Sequence, residues 1–201
     1  MGRESRVKDG LKSRLKPKTQ IRDKITVAAR RIDIQARRLD RAYVTLKEKD
    51  KRYYNTVMKA VQVKDKKRAA LYANELAEVR KAMMSIHKAS LALEQISLRL
   101  DTLKDMGDIA VTLTPAISVI KSIRGVISGV LPQVERDFDN LSDLLSNIIV
   151  DARMAGGINI DFSTANMEAE GILRQAEDQV KEEMKEKLPP VPYMEKEDLK
   201  I

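Results

Sequence analysis

The sequence predicts an all-α protein in which a long antiparallel two-helix hairpin is followed by shorter, hinged helices. Apolar residues recur at spacings of three and four over long segments, which is the period of an α-helix. Only two Phe, five Tyr and no Trp occur in 201 residues, and 34% of the residues are charged. This composition is typical of helices that pack along narrow apolar faces and are otherwise exposed to solvent, rather than of a large globular core.

Two apolar stripes define the predicted hairpin, which spans about residues 21–113. The first stripe comprises Ile21, Ile25, Ala28, Ile32, Ala36, Leu39, Tyr43, Leu46, Tyr53, Val57 and Val61. The second comprises Tyr72, Leu76, Val79, Met83, Ile86, Ser90, Leu93, Ile96, Leu100 and Leu103. Between them lies Lys-Asp-Lys-Lys-Arg at 64–68, with no apolar residue. A connection this short requires neighbouring helices to run antiparallel.

Three shorter helices are predicted after the hairpin. Thr114-Pro115 is typical of a helix start with proline at the first helical position, and this helix is expected to reach about Leu131. A fourth helix is expected from Pro132 to about Met154. A last amphipathic helix, acidic in its C-terminal half, follows the glycine pair near residue 156.

The chain is therefore expected to have four parts. These are a basic leader at 1–20, a helical core at 21–154, a linker with an acidic regulatory helix at 155–187, and a proline-rich tail at 188–201. Helix-breaking glycines mark the predicted hinges. They are Gly125, Gly129, Gly156 and Gly157.

Charge is strongly polarised along the chain. Residues 1–68 hold 23 Lys and Arg against 8 Asp and Glu, a balance of +15, whereas residues 69–201 hold 15 against 22, a balance of −7. A surface this basic favours a polyanion, either an anionic membrane or nucleic acid. A merely solvated helix face explains mixed charge but not this bias.

The leader is the predicted membrane-binding segment. It combines cations with a thin apolar face, so electrostatic adsorption is expected to dominate over insertion. The cations are Arg3, Arg6, Lys8, Lys12, Arg14, Lys16 and Lys18, and the apolar residues include Leu11 and Leu15.

The tail begins with Leu-Pro-Pro-Val-Pro at residues 188–192. Prolines fix φ, remove backbone donors and push the preceding residues out of the α region, so this segment must be extended. Leu188 and Val191 can then serve as apolar anchors on a stiff ligand. A plain helix stop is the alternative interpretation.

Residue patterns that support catalysis or metal binding are not found in the sequence. It contains no Cys, a single histidine at His87 and no Gly-rich nucleotide loop,. An acidic cluster of Glu135, Asp137, Asp139 and Asp143 is interpreted as a solvated face rather than a calcium site. We therefore predict no catalytic residues, no metal ligands and no cofactor, and the protein is not expected to be an enzyme.

The order of these features resembles an ESCRT-III (Snf-seven family) subunit over the whole chain, in particular the archaeal CdvB-type cell-division proteins. The resemblance implies homo-polymers and hetero-polymers with paralogous subunits on an anionic membrane. It also implies that an AAA ATPase docks through its MIT domain on Leu188, Pro189, Val191 and Pro192. The expected location is cytoplasmic, on the inner face of the plasma membrane at the division site, where the filament drives constriction or scission.

The charge polarity suggests how such a subunit is controlled. The acidic C-terminal helices are expected to fold back over the basic hairpin in a lone subunit and to open at the hinges on a membrane. A basic nucleic-acid-binding protein and a passive scaffold are the alternatives. The first lacks stacking aromatics and any recognisable reading module, so nucleic acid is not the expected partner. The second leaves the proline tail and the hinges unexplained.

Overall fold

The computed structural model describes residues 3–103, 108–156 and 162–192. The described residues form five α-helices and one short 3₁₀ turn, without strands, so the all-α prediction is confirmed. The helices are α1 (Arg3–Gln62), α2 (Lys66–Asp101), α3 (Asp108–Ile127), α4 (Glu135–Gly156) and α5 (Phe162–Lys187), and the 3₁₀ turn is Pro132–Val134.

Helices α1 and α2 form an antiparallel hairpin as predicted, but it ends at residue 101 rather than at about 113, because residues 108–113 belong to α3. The residues of the two stripes pack against each other, and most are fully buried. They include Ile21, Ile25, Ala28, Ile32, Ala36, Leu39 and Val57 on α1, and Leu76, Met83, Ile86, Leu93, Ile96 and Leu100 on α2. One predicted stripe residue, Val61, is instead 42% exposed at the end of α1.

A compact turn at residues 63–65 reverses the chain. Lys64 adopts a left-handed conformation with φ of 56°. Its amide donates to the Val61 carbonyl at 3.0 Å, and the Asp65 amide donates to the Ala60 carbonyl at 2.9 Å, which together close the end of α1,. The Asp65 carboxylate then accepts from the Arg68 amide at 3.0 Å and caps α2,.

Helix α1 begins well before the predicted start at Ile21. Its backbone is helical from Arg3 and runs through the whole basic leader, including Gly10 and Pro17. Lys, Arg and Leu are good helix formers, so most of the leader favours continuing the helix despite these two residues. At 60 residues, α1 is about 90 Å long,.

The predicted start of the third helix at Pro115 is wrong. Helix α3 begins at Asp108 and carries Pro115 in its interior. Proline removes one helical hydrogen bond, but the turns that precede it bury Ile109 and Leu113 in the core. The Thr114 hydroxyl, instead of capping a new helix, donates to the Ala110 carbonyl at 2.7 Å.

Helix α3 is the central helix of a bundle built on the open end of the hairpin. It contacts α2, α4 and α5, while α4 also packs on α1 and α5 on α2. Residues Ile109–Ile127 are long and apolar enough to cross a membrane by length and composition, but half of this stretch is buried inside the protein. A core helix of a bundle satisfies the same criteria.

The closed end of the hairpin is formed by α1 and α2. Its buried residues Val57, Ala60, Ala69 and Leu76 belong to neither of the clusters that α3, α4 and α5 help to form. The hairpin therefore projects from the bundle as a two-helix rod.

The turn at 63–65 allows two substitutions with opposite expected effects. Asp65→Ala removes the cap of α2 and should lower the free energy of unfolding by about 1 kcal/mol. Lys64→Gly relieves the left-handed strain at that residue and should raise it by about 1 kcal/mol. Urea denaturation followed by circular dichroism measures both. Shifts of the same sign would contradict the turn described here.

Candidate interaction surfaces

Helix α5 lies antiparallel on α2, with its carboxylates against basic side chains. The contacts are His87 Nε2 to Glu183 Oε2 at 3.3 Å, Lys88 Nζ to Glu177 Oε2 at 2.5 Å, and Arg99 Nη1 to Glu168 Oε2 at 3.6 Å. Next to the contact of His87 with Glu183, Val180 and Met184 of α5 pack on Met83 of α2. The charge polarity predicted that α5 folds back on the basic hairpin, but the sequence did not specify α2 as the helix that it contacts.

Helix α4 covers α1 in the same way. Lys24 Nζ lies 2.6 Å from Asp151 Oδ2, and Arg38 forms an ion pair with Asp137. Both acidic helices therefore rest on the basic hairpin, and we call this the closed arrangement. It matches the fold-back expected from the charge polarity.

Two of the predicted hinge glycines lie at the end of α3 and in the turn between α3 and α4. Gly125 is in α3 and Gly129 is in the turn that follows, and a Cβ on either would meet no atom within 4 Å. Gly156 is the last residue of α4, and Gly157 lies outside the described residues. The structure thus leaves the hinge role of all four glycines a prediction.

The side chain of Arg124 bridges the turn between α3 and α4. Its Nη2 donates to Glu135 Oε1 at 2.8 Å, and its Nε lies 2.8 Å from Asp139 Oδ1. Three of the four carboxylates in the predicted acidic cluster are therefore paired with arginines, since Asp137 is paired with Arg38. Within the described ranges, no group of residues could hold a metal ion.

The proline segment leaves the helix as proline chemistry predicts. Helix α5 ends at Lys187, and the Leu188 amide makes one last bond to the Met184 carbonyl at 3.0 Å. The Leu188 side chain is half-buried and packs beside Met83 and Val180, whereas Pro189 is exposed. Val191 and Pro192, the other two predicted docking residues, are both half-buried. In the closed arrangement, both predicted anchors, Leu188 and Val191, are therefore partly covered by the protein itself.

The predicted membrane-binding residues of the leader lie between positions 3 and 18 of α1. Their backbone is helical and continuous with the hairpin, whereas their side chains lie outside the described residues. Membrane binding by this segment stays a prediction.

Two polar contacts inside the hairpin were not predicted from the sequence. The buried Ser90 hydroxyl lies 2.6 Å from Asp40 Oδ1 and 3.1 Å from the Ala36 carbonyl. Arg80 Nε donates at 2.7 Å to Asp50, which is 4% exposed. A serine within an apolar stripe was the one signal available, because its hydroxyl needs a partner when buried.

Both α5 carboxylates that face the middle of α2 are held in the ionised form. Hydrogen bonds from Lys181 and Lys88 lower the pKa of Glu177 to about 2. Hydrogen bonds from Lys187 and Gln179 lower the pKa of Glu183 to about 2 as well.

His87 has a packed position at the junction of α1, α2 and α5. Its ring stacks on Tyr43 with centroids 4.5 Å apart, and burial raises the pKa of the Tyr43 hydroxyl. The contact of His87 with Glu183 links this stack to α5. The geometry agrees with the structural role expected of a lone histidine.

The lowered pKa values predict acid sensitivity. Because the pKa of Glu177 and Glu183 is about 2 in the folded protein and 4.5 ordinarily, their stabilisation is complete above about pH 4.5 and is lost as the pH falls towards 2,. The melting temperature of the double variant Glu177→Gln, Glu183→Gln should therefore fall less over this window. The control is Glu170→Gln with Glu182→Gln, which alters carboxylates without ion-pair partners in the described structure. Its melting temperature should fall over this window as much as that of the unaltered protein.

Comparison with known proteins agrees with this architecture. The family that matches is Snf7, over residues 24–195. The chain is 34% identical to Cell division protein B1 of Sulfolobus acidocaldarius over 177 aligned residues. The alignment covers 88% of this chain and 83% of that protein. It is 26% identical to Cell division protein B of the same organism over 178 aligned residues, which are 89% of this chain and 68% of that protein. No solved structure gives a significant match.

Proposed function

The chain belongs to the Snf7 (ESCRT-III) family, and from that membership we propose that it is a membrane-remodelling filament subunit of archaeal cell division. Its family and its relatives are structural proteins rather than enzymes, so the protein is not an enzyme. In the proposed role it polymerises with itself and with paralogous subunits on the inner face of the plasma membrane at the division site. Constriction or scission then follows from the curvature of the filament.

The observation that carries this proposal is the closed arrangement of α4 and α5 on the basic hairpin. Acidic side chains of both helices form ion pairs with hairpin cations that could otherwise contact an anionic membrane or a neighbouring subunit. Opening exposes those cations and frees the hairpin surfaces for stacking. The contacts are reversible because they lie largely at the surface, where each ion pair contributes about 0–1 kcal/mol.

Membrane attachment supplies the competing energy. Each Lys or Arg near an anionic leaflet contributes about 1 kcal/mol. A few leader cations per subunit, repeated along a filament, give attachment that is firm and sensitive to salt. The membrane and the C-terminal helices thus compete at comparable strength.

Disassembly is assigned to a partner, because the chain itself has no nucleotide-binding motif. In the proposal, the MIT domain of an AAA ATPase binds Leu188, Pro189, Val191 and Pro192. The backbone of residues 189–192 is non-helical and is restricted by three prolines, which supports the assignment because a stiff ligand loses little conformational entropy on binding,.

The proposed function is tested by electron microscopy of protein mixed with anionic vesicles, neutral vesicles or duplex DNA at one salt concentration. Filaments or coated tubules should form with anionic vesicles alone. The triple variant Glu168→Gln, Glu177→Gln, Glu183→Gln should form them at roughly tenfold lower protein concentration, because it removes three contacts that hold α5 closed.

A matched variant separates closure from net charge. Glu170→Gln, Asp178→Asn, Glu182→Gln removes the same number of charges from exposed positions of α5 that have no ion-pair partner in the described structure. It should polymerise as the unaltered protein does. Ordered coating of DNA beside bare anionic vesicles would overturn the proposal.

The ATPase step is tested by titrating the isolated MIT domain into the full-length protein. Removing residues 188–201 should abolish binding and leave filament formation intact. Pro189→Ala should weaken binding about two- to fivefold, since a proline that fits its backbone contributes about 0.4–1 kcal/mol. Pro190→Ala releases the same kind of backbone restraint at the neighbouring exposed proline, outside the docking set, so any greater loss of binding in Pro189→Ala measures the contact of Pro189 itself,. Full binding by the truncated protein would contradict the assignment.

A further inference from the structure

Three large apolar side chains are exposed at the closed end of the hairpin. Val61 is 42% exposed, Val63 74% and Leu71 59%. Val63 lies in the turn at 63–65, and Val61 and Leu71 lie on the helices on either side of it, at the end of the rod that extends from the bundle. Single exposed apolar residues are common, but three around one turn indicate an interaction surface.

The same end of the hairpin is strongly basic. Residues 51–68 hold seven cations and one carboxylate, Asp65, which is engaged as the cap of α2. All seven basic residues are exposed. They are Lys51, Arg52, Lys59, Lys64, Lys66, Lys67 and Arg68.

Several of these cations occupy positions that destabilise the fold. Lys66, Lys67 and Arg68 lie in the first turn of α2, which contains no acidic residue, and the helix dipole disfavours cations there,. Lys64 has the left-handed φ of 56° that glycine adopts most easily,. Local rules are broken most often where function requires it.

The cations and the apolar side chains share helix faces. Lys67 and Leu71 are four residues apart on α2, and Lys59 and Val63 are four apart at the end of α1, where the Val63 amide still bonds to the Lys59 carbonyl at 3.1 Å. An apolar group beside a long cationic side chain is typical of surfaces that enter the headgroup region of a bilayer. Phosphates of nucleic acid would need only the cations.

We propose that this surface, the hairpin tip (residues 59–71), is a second membrane contact that inserts Val63 and Leu71 among anionic headgroups. The inference rests on the proposed function and extends it to the end of α1 opposite the leader. About 60 Å of rigid helix separates residue 20 from residue 59. Two contacts that far apart would hold the hairpin along the membrane rather than upright on it.

Insertion is tested by fluorescence, because the chain contains no Trp. In Val63→Trp, emission should shift to the blue on vesicles of equal parts phosphatidylglycerol and phosphatidylcholine. It should not shift on phosphatidylcholine alone or on duplex DNA. Val150→Trp, at an exposed position of α4, is the control and should not shift. A shift that follows protein concentration without vesicles would assign the tip to a second copy of the chain and overturn the proposal.

The charge contribution is tested by vesicle co-sedimentation. Lys59→Glu with Lys67→Glu should lower the partition coefficient at least about 25-fold, since each of the two cations lost costs about a factor of five and the added carboxylates are repelled by anionic headgroups. The thermal stability should change little, because Lys67→Glu places an acid where the dipole of α2 favours one and offsets Lys59→Glu, which removes a favourable cation from the last turn of α1,. Lys121→Glu with Arg136→Glu makes the same charge change at exposed positions of α3 and α4 and should bind as before.

The apolar contribution to vesicle binding is measured separately from the charge contribution with the double variant Val63→Ser, Leu71→Ser. The control is Val150→Ser, Leu98→Ser, which makes the same kind of change at exposed positions elsewhere. Only the tip pair should weaken vesicle binding. Unaltered binding by both tip variants, in a protein that does bind anionic vesicles, would overturn this inference and leave the proposed function standing. Failure of the unaltered protein to bind anionic vesicles would overturn both.

Discussion

The register of the α1/α2 hairpin is the constraint on which the rest of the structure depends. Three contacts between the helices pair residues whose numbers add up to the same total, namely Ser90 with Asp40, Arg80 with Asp50, and His87 with Tyr43. The short turn at 63–65 sets this total, and the buried polar pairs penalise any slip because a shifted register would leave a charge buried without its partner. The hairpin can therefore act as a rigid body while the other helices move.

The strength of the closed arrangement suits a switch. Its ion pairs are mostly exposed, and each contributes no more than about 1 kcal/mol, which is also the contribution of one cation near an anionic leaflet. The apolar contact of Val180 and Met184 with Met83 adds stability that does not depend on salt. In the proposed function, a lone subunit stays closed, and a few membrane contacts per subunit are enough to shift the equilibrium.

The elements that the sequence predicted well are those controlled by periodicity. Ile32, Leu39 and Leu93 could be assigned to the seam because a helix places every third or fourth residue on one face,. The start of α3 was missed because burial of Ile109 and Leu113 outweighs the rule that places proline at a helix start,. Charge polarity predicted that α5 folds back on the hairpin, but not that it packs on α2, since amphipathicity and net charge do not specify which helix of the hairpin is the partner. The Ser90 and Asp40 pair was missed for a related reason, because it joins residues that only the hairpin register brings together.

The position of Leu188 joins the two halves of the proposed mechanism. Its side chain packs beside Met83 and Val180 in the closed arrangement, and the same side chain is an anchor of the proposed docking segment. It cannot occupy both environments, so release of this residue from the hairpin and capture by an MIT domain are linked equilibria. This linkage is reciprocal. If opening of the subunit strengthens binding of the tail to the MIT domain, binding of the tail favours opening by the same free energy. An ATPase that binds this tail would therefore favour subunits that are already open in a filament and, by holding the tail, would oppose their closing again before they are removed.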